Sequence, residues 1–452
     1  MKNRIISLWY RVRYSLWFVP GLMVAGALAL AYATTGLDAT LPRMGAGKLW
    51  WVYEGTPAGA RAVLSTIAGS MITVAGVVFS LTMVVLSLTS SQFGPRLVRN
   101  FMDDTGNQLV LGTFVATFVY CLVVLRTIEG AANDPLPSLS VSVGLALALA
   151  SLGVLIYFIH HIASSIQANN LLARVGREFE DSVRRLYPEA AAGPAAGPAP
   201  KLPQGFAQRA EELWAHQSGY VQMIDHDRLY ELACGENLLI QVTRRPGDFV
   251  INGNPLCLVW PPESFTPALA MRLHRSFTMG VERTEAQDVE YVARLLAETA
   301  LRALSPGVND PYTAVTCIDW LGSGLALMAG RGRRPAYRLD EGGELRLVHP
   351  EVSFSLVAES CLEPIRRAAR ENVMCTVRLL EVLGALARQV RLPQDHQALT
   401  HQALAVKTDS LDNLRLSWDR DLISEKHQEV LRELERAALR LEPPVAEGEE
   451  KG

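Results

Sequence analysis

Four hydroxyl side chains, Thr66, Thr73, Ser80 and Ser87, recur every seventh residue within the apolar segment Ala62–Ser91. A seven-residue step falls roughly 20° short of two helical turns, so these side chains share one slowly drifting helix face. At 1.5 Å per residue they cover about 31 Å, close to the thickness of a bilayer's hydrocarbon core. A polar stripe of this length either lines water or joins helices.

Four stretches that are long and apolar enough to cross a bilayer provide the frame for this stripe. They run over Ser15–Thr35, Ala62–Ser90, Leu109–Leu125 and Val141–Ile162. The first is interpreted as a retained anchor, because its apolar run of about 20 residues exceeds that of a typical signal peptide. We therefore expect a multi-pass protein whose first partner is the lipid bilayer.

Basic residues near the span ends predict the orientation, because positive residues stay on the cytoplasmic side. One side carries Lys2, Arg4, Arg11, Arg13, Arg96, Arg99, Arg174, Arg177, Arg184 and Arg185. The other carries only Arg43, Lys48, Arg61 and Arg126. The pattern predicts a bacterial inner-membrane protein with both termini in the cytoplasm.

Composition argues against several classes of function. A net charge of −3 gives no global basic surface for nucleic acid. The six cysteines are scattered, with no CxxC pair, and no HExxH is present, so neither a metal nor another cofactor is expected. Because GxSxG, P-loop and Rossmann motifs are also absent, the sequence favours a protein that is not an enzyme.

The fold class predicted is an α-helical membrane protein, with four transmembrane helices followed by a cytoplasmic α+β domain. The predicted parts are a membrane domain (1–187) ending in an exit helix (Gln167–Tyr187), an Ala/Gly/Pro linker (188–203), a small β module (204–265), a helical domain (266–392) and a C-terminal segment (393–452) with one amphipathic helix and an acidic tail. The linker is the clearest boundary, since its composition disfavours a packed core.

Within the β module, Gly219–Ile224 and Leu238–Val242 are predicted strands, while Phe249–Ile251 and Leu256–Trp260 are predicted to form a hairpin. In the helical domain, Thr284–Gln287 is interpreted as a capping box that starts a helix reaching about Leu304. Asp310 is the predicted N-cap of the next helix, with Pro311 at its first position. Further helices are predicted over Val352–Glu371, Val373–Val390 and Glu425–Leu441.

Several motifs resemble those of a bacterial family of predicted inner-membrane proteins with a domain of unknown function (family 2254). In the membrane half these are Ser91-Gln92-Phe93-Gly94-Pro95-Arg96, Asp103-Asp104 and Leu111-Gly112-Thr113-Phe114. In the soluble half they are Gln287-Asp288 and the run from Arg302 to Ala314, RALSPGVNDPYTA. The resemblance covers nearly the whole chain. It implies location and architecture but no established activity.

The hydroxyl stripe has two interpretations. Small residues such as Gly69 and Thr73 allow helices to approach closely, which favours packing. Alternatively, one such helix from each subunit of a homo-oligomeric ring lines a pore for ions, with a hydrophobic gate near its middle. Bulky residues for that gate are Val77, Val78, Phe79, Leu81 and Val84, of which Val77, Phe79 and Val84 are the principal candidates.

Three further groups have the chemistry for a site. Charges after the second span, at Arg96, Arg99, Asp103 and Asp104, either filter ions at the pore mouth or mark topology and a solvated turn. The pair His160-His161 either senses pH or lies at the membrane interface. The candidate ligand loop carries Ser305, Asn309 and Asp310, but Asp310 already serves as a cap, which favours a structural turn.

We expect a homo-oligomeric inner-membrane ion channel in which the second span lines the pathway and the cytoplasmic domain forms a vestibule or regulator. The alternative is a membrane-anchored cytoplasmic sensor or scaffold that does not conduct. A membrane-bound enzyme is the weaker alternative.

Overall fold

The computed structural model describes residues 17–40, 53–93, 105–128, 137–165, 167–187, 189, 200–331 and 335–441. Contacts within the chain divide it into two units, Met1–Asn170 and Leu171–Gly452. The first unit contains the apolar helices, and the second contains both helices and strands.

Four long helices make up the described part of the first unit. They are α1 (Phe18–Thr40), α2 (Pro57–Phe93), α3 (Thr105–Thr127) and α4 (Ser138–Ser165). Each is long and apolar enough to cross a membrane, so every predicted span coincides with a candidate membrane helix. The last three extend beyond the predicted apolar runs, because polar residues at the ends of a span still form helix.

Helix α3 lies at the centre of this unit and packs against α1, α2 and α4. Its Tyr120 belongs to an apolar cluster with Leu64 of α2, and its Phe114 belongs to a second cluster with Val78 of α2. Because Leu64 and Val78 are fourteen residues apart, α2 presents nearly the same edge to its neighbours over this length. The opposite face of α2 therefore points away from the other described helices.

Helix α5 (Ala168–Leu186) crosses the boundary between the two units and lies within the helix predicted over Gln167–Tyr187; its role as an exit from the membrane stays a prediction. A β region follows. Its helices are α6 (Phe206–Arg209), α7 (His226–Gly235) and α8 (Pro267–His274). Its strands are β1 (Glu211–Trp214), β2 (Gly219–Ile224), β3 (Leu239–Val242), β4 (Phe249–Val250), β5 (Pro255–Trp260) and β6 (Phe277–Gly280), with β7 (Tyr337–Leu339) and β8 (Leu345–Val348) later in the chain.

These strands form two sheets, with the orders β1-β5-β3-β8-β7 and β4-β2-β6. The predicted strands β2 and β3 are confirmed, but the predicted hairpin of β4 and β5 is wrong. Strand β4 pairs with β2, whereas β5 lies between β1 and β3. The turn between β4 and β5 does exist, with Gly253 at φ +86°, but it leads from one sheet to the other.

Six helices form a bundle after the β region. They are α9 (Val289–Ala303), α10 (Pro311–Ala329), α11 (Phe354–Ala369), α12 (Val373–Ala387), α13 (Pro393–Asn413) and α14 (Ser417–Leu441). Helix α13 was not predicted, because its polar residues obscure the apolar period; Ala398, Leu399, Ala403 and Val406 nevertheless form its buried face. Helix α14 starts eight residues before the predicted position.

The N-cap residues of the bundle helices show which of the capping predictions are correct. Asp310 caps α10, with Pro311 at the first helical position, as predicted. The capping box at Thr284 is wrong, because Asp288 is the N-cap of α9 and accepts a hydrogen bond from the Tyr291 N–H at 3.0 Å. The Gln287 side chain instead binds the backbone N–H and C=O of Ile224 in β2. It therefore joins the bundle to the three-stranded sheet.

Candidate functional site

The hydroxyl stripe lies on the face of α2 that the other described helices leave uncovered. Thr66, Thr73, Ser80 and Ser87 are all exposed within the single chain. On the opposite side of the helix, Leu64, Val78 and other residues of the two apolar clusters are almost fully buried. The stripe thus faces outward, where another copy of the chain, lipid or water would meet it.

Two of these hydroxyls already have hydrogen-bond partners in their own helix. The Thr66 hydroxyl donates to the Ala62 carbonyl at 2.8 Å, and the Thr73 hydroxyl donates to the Gly69 carbonyl at 2.8 Å. Each oxygen retains lone pairs for water or for a donor on another helix. These two hydroxyls are therefore able to accept hydrogen bonds while their own protons are already donated.

The gate candidates do not share one face. Val77 and Val84 lie within about 40° of Ser80 or Thr73 around the helix, at 100° per residue, and are 63% and 52% exposed. Phe79 is exposed but about 100° from Ser80. Val78 is 3% exposed and packs inside the unit, so its predicted place in a gate is wrong.

The outward face of α4 differs in chemistry. It carries a stripe of large aliphatic side chains at helical spacing, all exposed: Leu145, Leu149, Leu152, Ile156 and Ile159. Such side chains are the ones that lipid tails accommodate at least cost. Two outward faces of the same unit therefore present different surfaces, aliphatic on α4 and partly hydroxylated on α2.

The structure brings few of the other candidate residues together. Arg96, Arg99, Asp103 and Asp104 lie outside the described residues. In the last turns of α4, the His161 ring stacks on Tyr157, one turn earlier, with centroids 5.4 Å apart. Across the described segments, no group of three His, Cys, Asp or Glu side chains is arranged to hold a metal ion.

The loop between α9 and α10 is a tight turn whose polar groups bind one another. The Ser305 hydroxyl donates to the Arg302 carbonyl, and Asn309 adopts a left-handed φ of 48°. The Thr313 hydroxyl donates to Asp310 at 2.6 Å, and this hydrogen bond lowers the pKa of the Asp310 carboxyl. Because Asp310 also accepts from the Thr313 N–H, the start of α10 is already occupied by a carboxylate.

Sequence reasoning missed a polar network inside the first unit. Asp38, near the end of α1, accepts hydrogen bonds from the N–H of Leu139 at 2.9 Å and from both the N–H and the hydroxyl of Ser140, at 2.9 and 2.6 Å. Nearby, the Tyr120 hydroxyl contacts Thr34 at 3.0 Å and donates to the Ser140 carbonyl at 3.0 Å. Asp38 therefore caps the start of α4 from another helix.

A second missed contact joins α3 to α4. The hydroxyls of Thr117 and Ser151 lie 3.2 Å apart, and both residues are buried. The signals available in the sequence were a lone acid at the end of the first span and hydroxyls on the third and fourth. Their pairing depends on helix rotation, which the sequence pattern did not supply.

A cleft of about 450 Å³ in the second unit is lined in part by Arg184 and Arg331. Arg184 is paired with Glu180 and Asp181. Arg331 is paired with Glu189 at 3.1 Å and also donates to the Tyr187 carbonyl. Two of the three arginines that line the cleft therefore already have acidic partners; the third is Arg391.

Comparison with known proteins matches residues 13–385 to a family described as predicted membrane protein (DUF2254). Two uncharacterized proteins, one from Mycobacterium bovis and one from Mycobacterium tuberculosis, are each 31% identical to the chain over 406 residues. The alignment covers 88% of this chain and 77% of each relative. No solved structure matches the chain.

The family match extends from the first span into α12, and so includes all four candidate membrane spans, the β region and most of the helical bundle. The chain therefore belongs to the DUF2254 family of predicted membrane proteins.

Proposed function

We propose that this protein is a homo-oligomeric ion channel of the bacterial inner membrane, not an enzyme, in which α2 of each subunit lines the pathway. The observation that carries this proposal is the outward exposure of all four stripe hydroxyls. A four-helix subunit is too small to enclose a pathway comfortably, so the wall requires several copies. The contrast with the aliphatic outward face of α4 supports α2 as the helix that faces the axis.

The same proposal assigns roles to neighbouring residues. Val77 and Val84, exposed on the stripe side, would form a constriction that closes by dewetting. Arg96, Arg99, Asp103 and Asp104 would lie at the cytoplasmic mouth, and the second unit would form a cytoplasmic vestibule. The excess of basic residues beside the termini supports this orientation.

A non-conducting sensor or scaffold is the alternative, and one observation favours it. The hydroxyls of Thr66 and Thr73 bond to their own backbone. A face satisfied in this way, with Gly69 beside it, also suits dry packing against a helix of another copy.

The accessibility of α2 to water distinguishes the channel from the non-conducting sensor or scaffold. We suggest cysteine substitutions at Thr73 and Ser80, with Leu149→Cys and Leu152→Cys on α4 as matched lipid-side controls, in a Cys234→Ser background because the other five cysteines are buried. If the protein is a channel, a water-soluble thiol reagent should modify the cysteines of the Thr73→Cys and Ser80→Cys variants in proteoliposomes and change their ion flux. The α4 variants should neither react nor alter flux.

Leucine substitutions give the second measurement. Ser80→Leu and Thr73→Leu should change flux by about ten-fold or more, since a leucine in the wall favours dewetting. Flux that is absent under voltage, tension and pH stimuli from folded protein, or particles that are strictly monomeric, would overturn the channel.

A further inference from the structure

The register between α5 and α10 shows at which end the chain enters the second unit. Gly176 packs so closely on the Trp320 ring that an added Cβ would lie 2.3 Å from it, and Gly324 packs in the same way on Phe179. Further along, Arg331 donates to the Tyr187 carbonyl at 2.8 Å. Residue numbers increase together in these pairs, so α5 and α10 run parallel. The start of α5 therefore lies at the end of the bundle where α10 begins.

Three turns lie together at this end, namely 304–310, 370–372 and 414–416, and we call it the entry end. The Cys375 thiol approaches the Pro311 carbonyl at 3.7 Å, which joins the first two turns. The hydroxyls of Ser410 and Thr376 lie 3.3 Å apart, which joins the third. The sheets lie at the opposite end, where Gln287 binds β2 ahead of α9.

The entry end exposes large apolar and aromatic side chains on all three turns or the helix starts beside them. They are Val308 (56% exposed), Tyr312 (75%), Met374 (36%), Leu416 (47%) and Trp418 (67%). Single exposed apolar residues are ordinary on soluble proteins, but a group at one end indicates a surface that binds something apolar.

Chain connectivity identifies what is close to this end. Helix α4, a candidate membrane span, ends at Ser165, and α5 begins at Ala168. Three residue steps reach at most about 11 Å. The entry end is thus tied by a very short connection to a helix end expected at the membrane surface. Tryptophan and tyrosine are the side chains enriched at that surface.

We propose that the entry end binds the lipid headgroup layer, with Trp418 and Tyr312 inserted at the interface. Exposed charges beside Trp418 are of both signs, with Arg415 and Arg420 balanced by Asp412 and Asp421. The contact is therefore aromatic and apolar, and it does not require anionic lipid. This role is independent of ion conduction, because it concerns only the second unit and the lipid.

The test uses the full chain in phosphatidylcholine nanodiscs that contain a headgroup spin-labelled lipid. An environment-sensitive fluorophore is attached at Trp418→Cys or, as the control, at Leu439→Cys, both in the Cys234→Ser background. Leu439 is 71% exposed near the far end of the same helix, about 32 Å away. The label at 418 should be quenched about three-fold or more relative to that at 439, since only the former meets headgroups.

Labelling at Tyr312→Cys repeats the test on another helix, in case the tryptophan is needed for folding. Equal quenching at the near and far positions would overturn the proposal. So would shielding of the 418 label that does not depend on lipid and is absent from nanodiscs that hold a single copy of the chain, because that result identifies a second copy as the occupant.

Discussion

The inward and outward hydroxyls of the first unit have different partners. Inside, Thr117 meets Ser151, and Tyr120 bridges Thr34 and Ser140, so each hydroxyl joins two helices. On the outward face of α2, Thr66 and Thr73 bond only within their own helix among the contacts seen in the single chain. A hydroxyl in a span therefore does not by itself indicate a pore, because the subunit's own helices can use it as a hydrogen-bond partner.

The largest effect is expected from the carboxylate that closes the inward network. Asp38→Ala removes the acceptor of three hydrogen bonds at the start of α4, and should lower the free energy of unfolding by about 2–4 kcal/mol. Chemical unfolding of the full chain in detergent measures the loss. Thr40→Ala, at the same helix end, is the control, because its hydroxyl bonds only to carbonyls of α1. An equal loss of unfolding free energy in the two variants would contradict the role of Asp38 as the cap of α4.

A smaller effect is expected at Tyr120. Tyr120→Phe keeps the ring but removes the hydroxyl between Thr34 and the Ser140 carbonyl, which should cost about 1–2 kcal/mol of unfolding free energy. Tyr32→Phe on α1 is the matched control, since Tyr32 is 67% exposed. If Tyr32→Phe lowers the unfolding free energy as much as Tyr120→Phe does, the hydrogen bonds of the Tyr120 hydroxyl do not stabilise the unit.

The smallest effect on stability is expected when a threonine that contacts another helix is compared with a threonine on the outward face of α2. Thr117→Val should cost about 0.6–1.7 kcal/mol, the range for hydrogen bonds between membrane helices. Thr73→Val should leave subunit unfolding nearly unchanged while altering ion flux. A stability loss at Thr73 equal to that at Thr117, without a change in flux, would place Thr73 in a dry contact between copies and break the comparison.

Local patterns in the sequence predicted those elements whose signal is contained within a few residues. The spans follow from apolar length, and the start of α10 follows from Asp310 and Pro311 side by side. The predicted hairpin failed because β4 is only two residues long and pairs with β2, whereas β5 pairs with β1 and β3. The capping box failed because Asp288, four residues after Thr284, has its own carboxylate for the Tyr291 N–H.

The surroundings of the buried Asp288 carboxylate are set by tertiary contacts. Burial raises the pKa of its carboxyl, while the guanidinium of Arg283, 2.7 Å away, opposes this shift. Gly247, at φ +94°, leaves space for the pair, since an added Cβ would lie 2.1 Å from the carboxylate. Residues 247 and 288 are far apart in sequence, so no local pattern predicted the contact.

From the sequence alone we predict four membrane spans and a hydroxyl stripe on one of them, because apolar length and helical period are local properties. The direction in which the stripe faces depends on how the helices pack, which the sequence pattern did not supply. Packing of Leu64 and Val78 against α3 fixes the rotation of α2, and that rotation turns Thr66, Thr73, Ser80 and Ser87 outward.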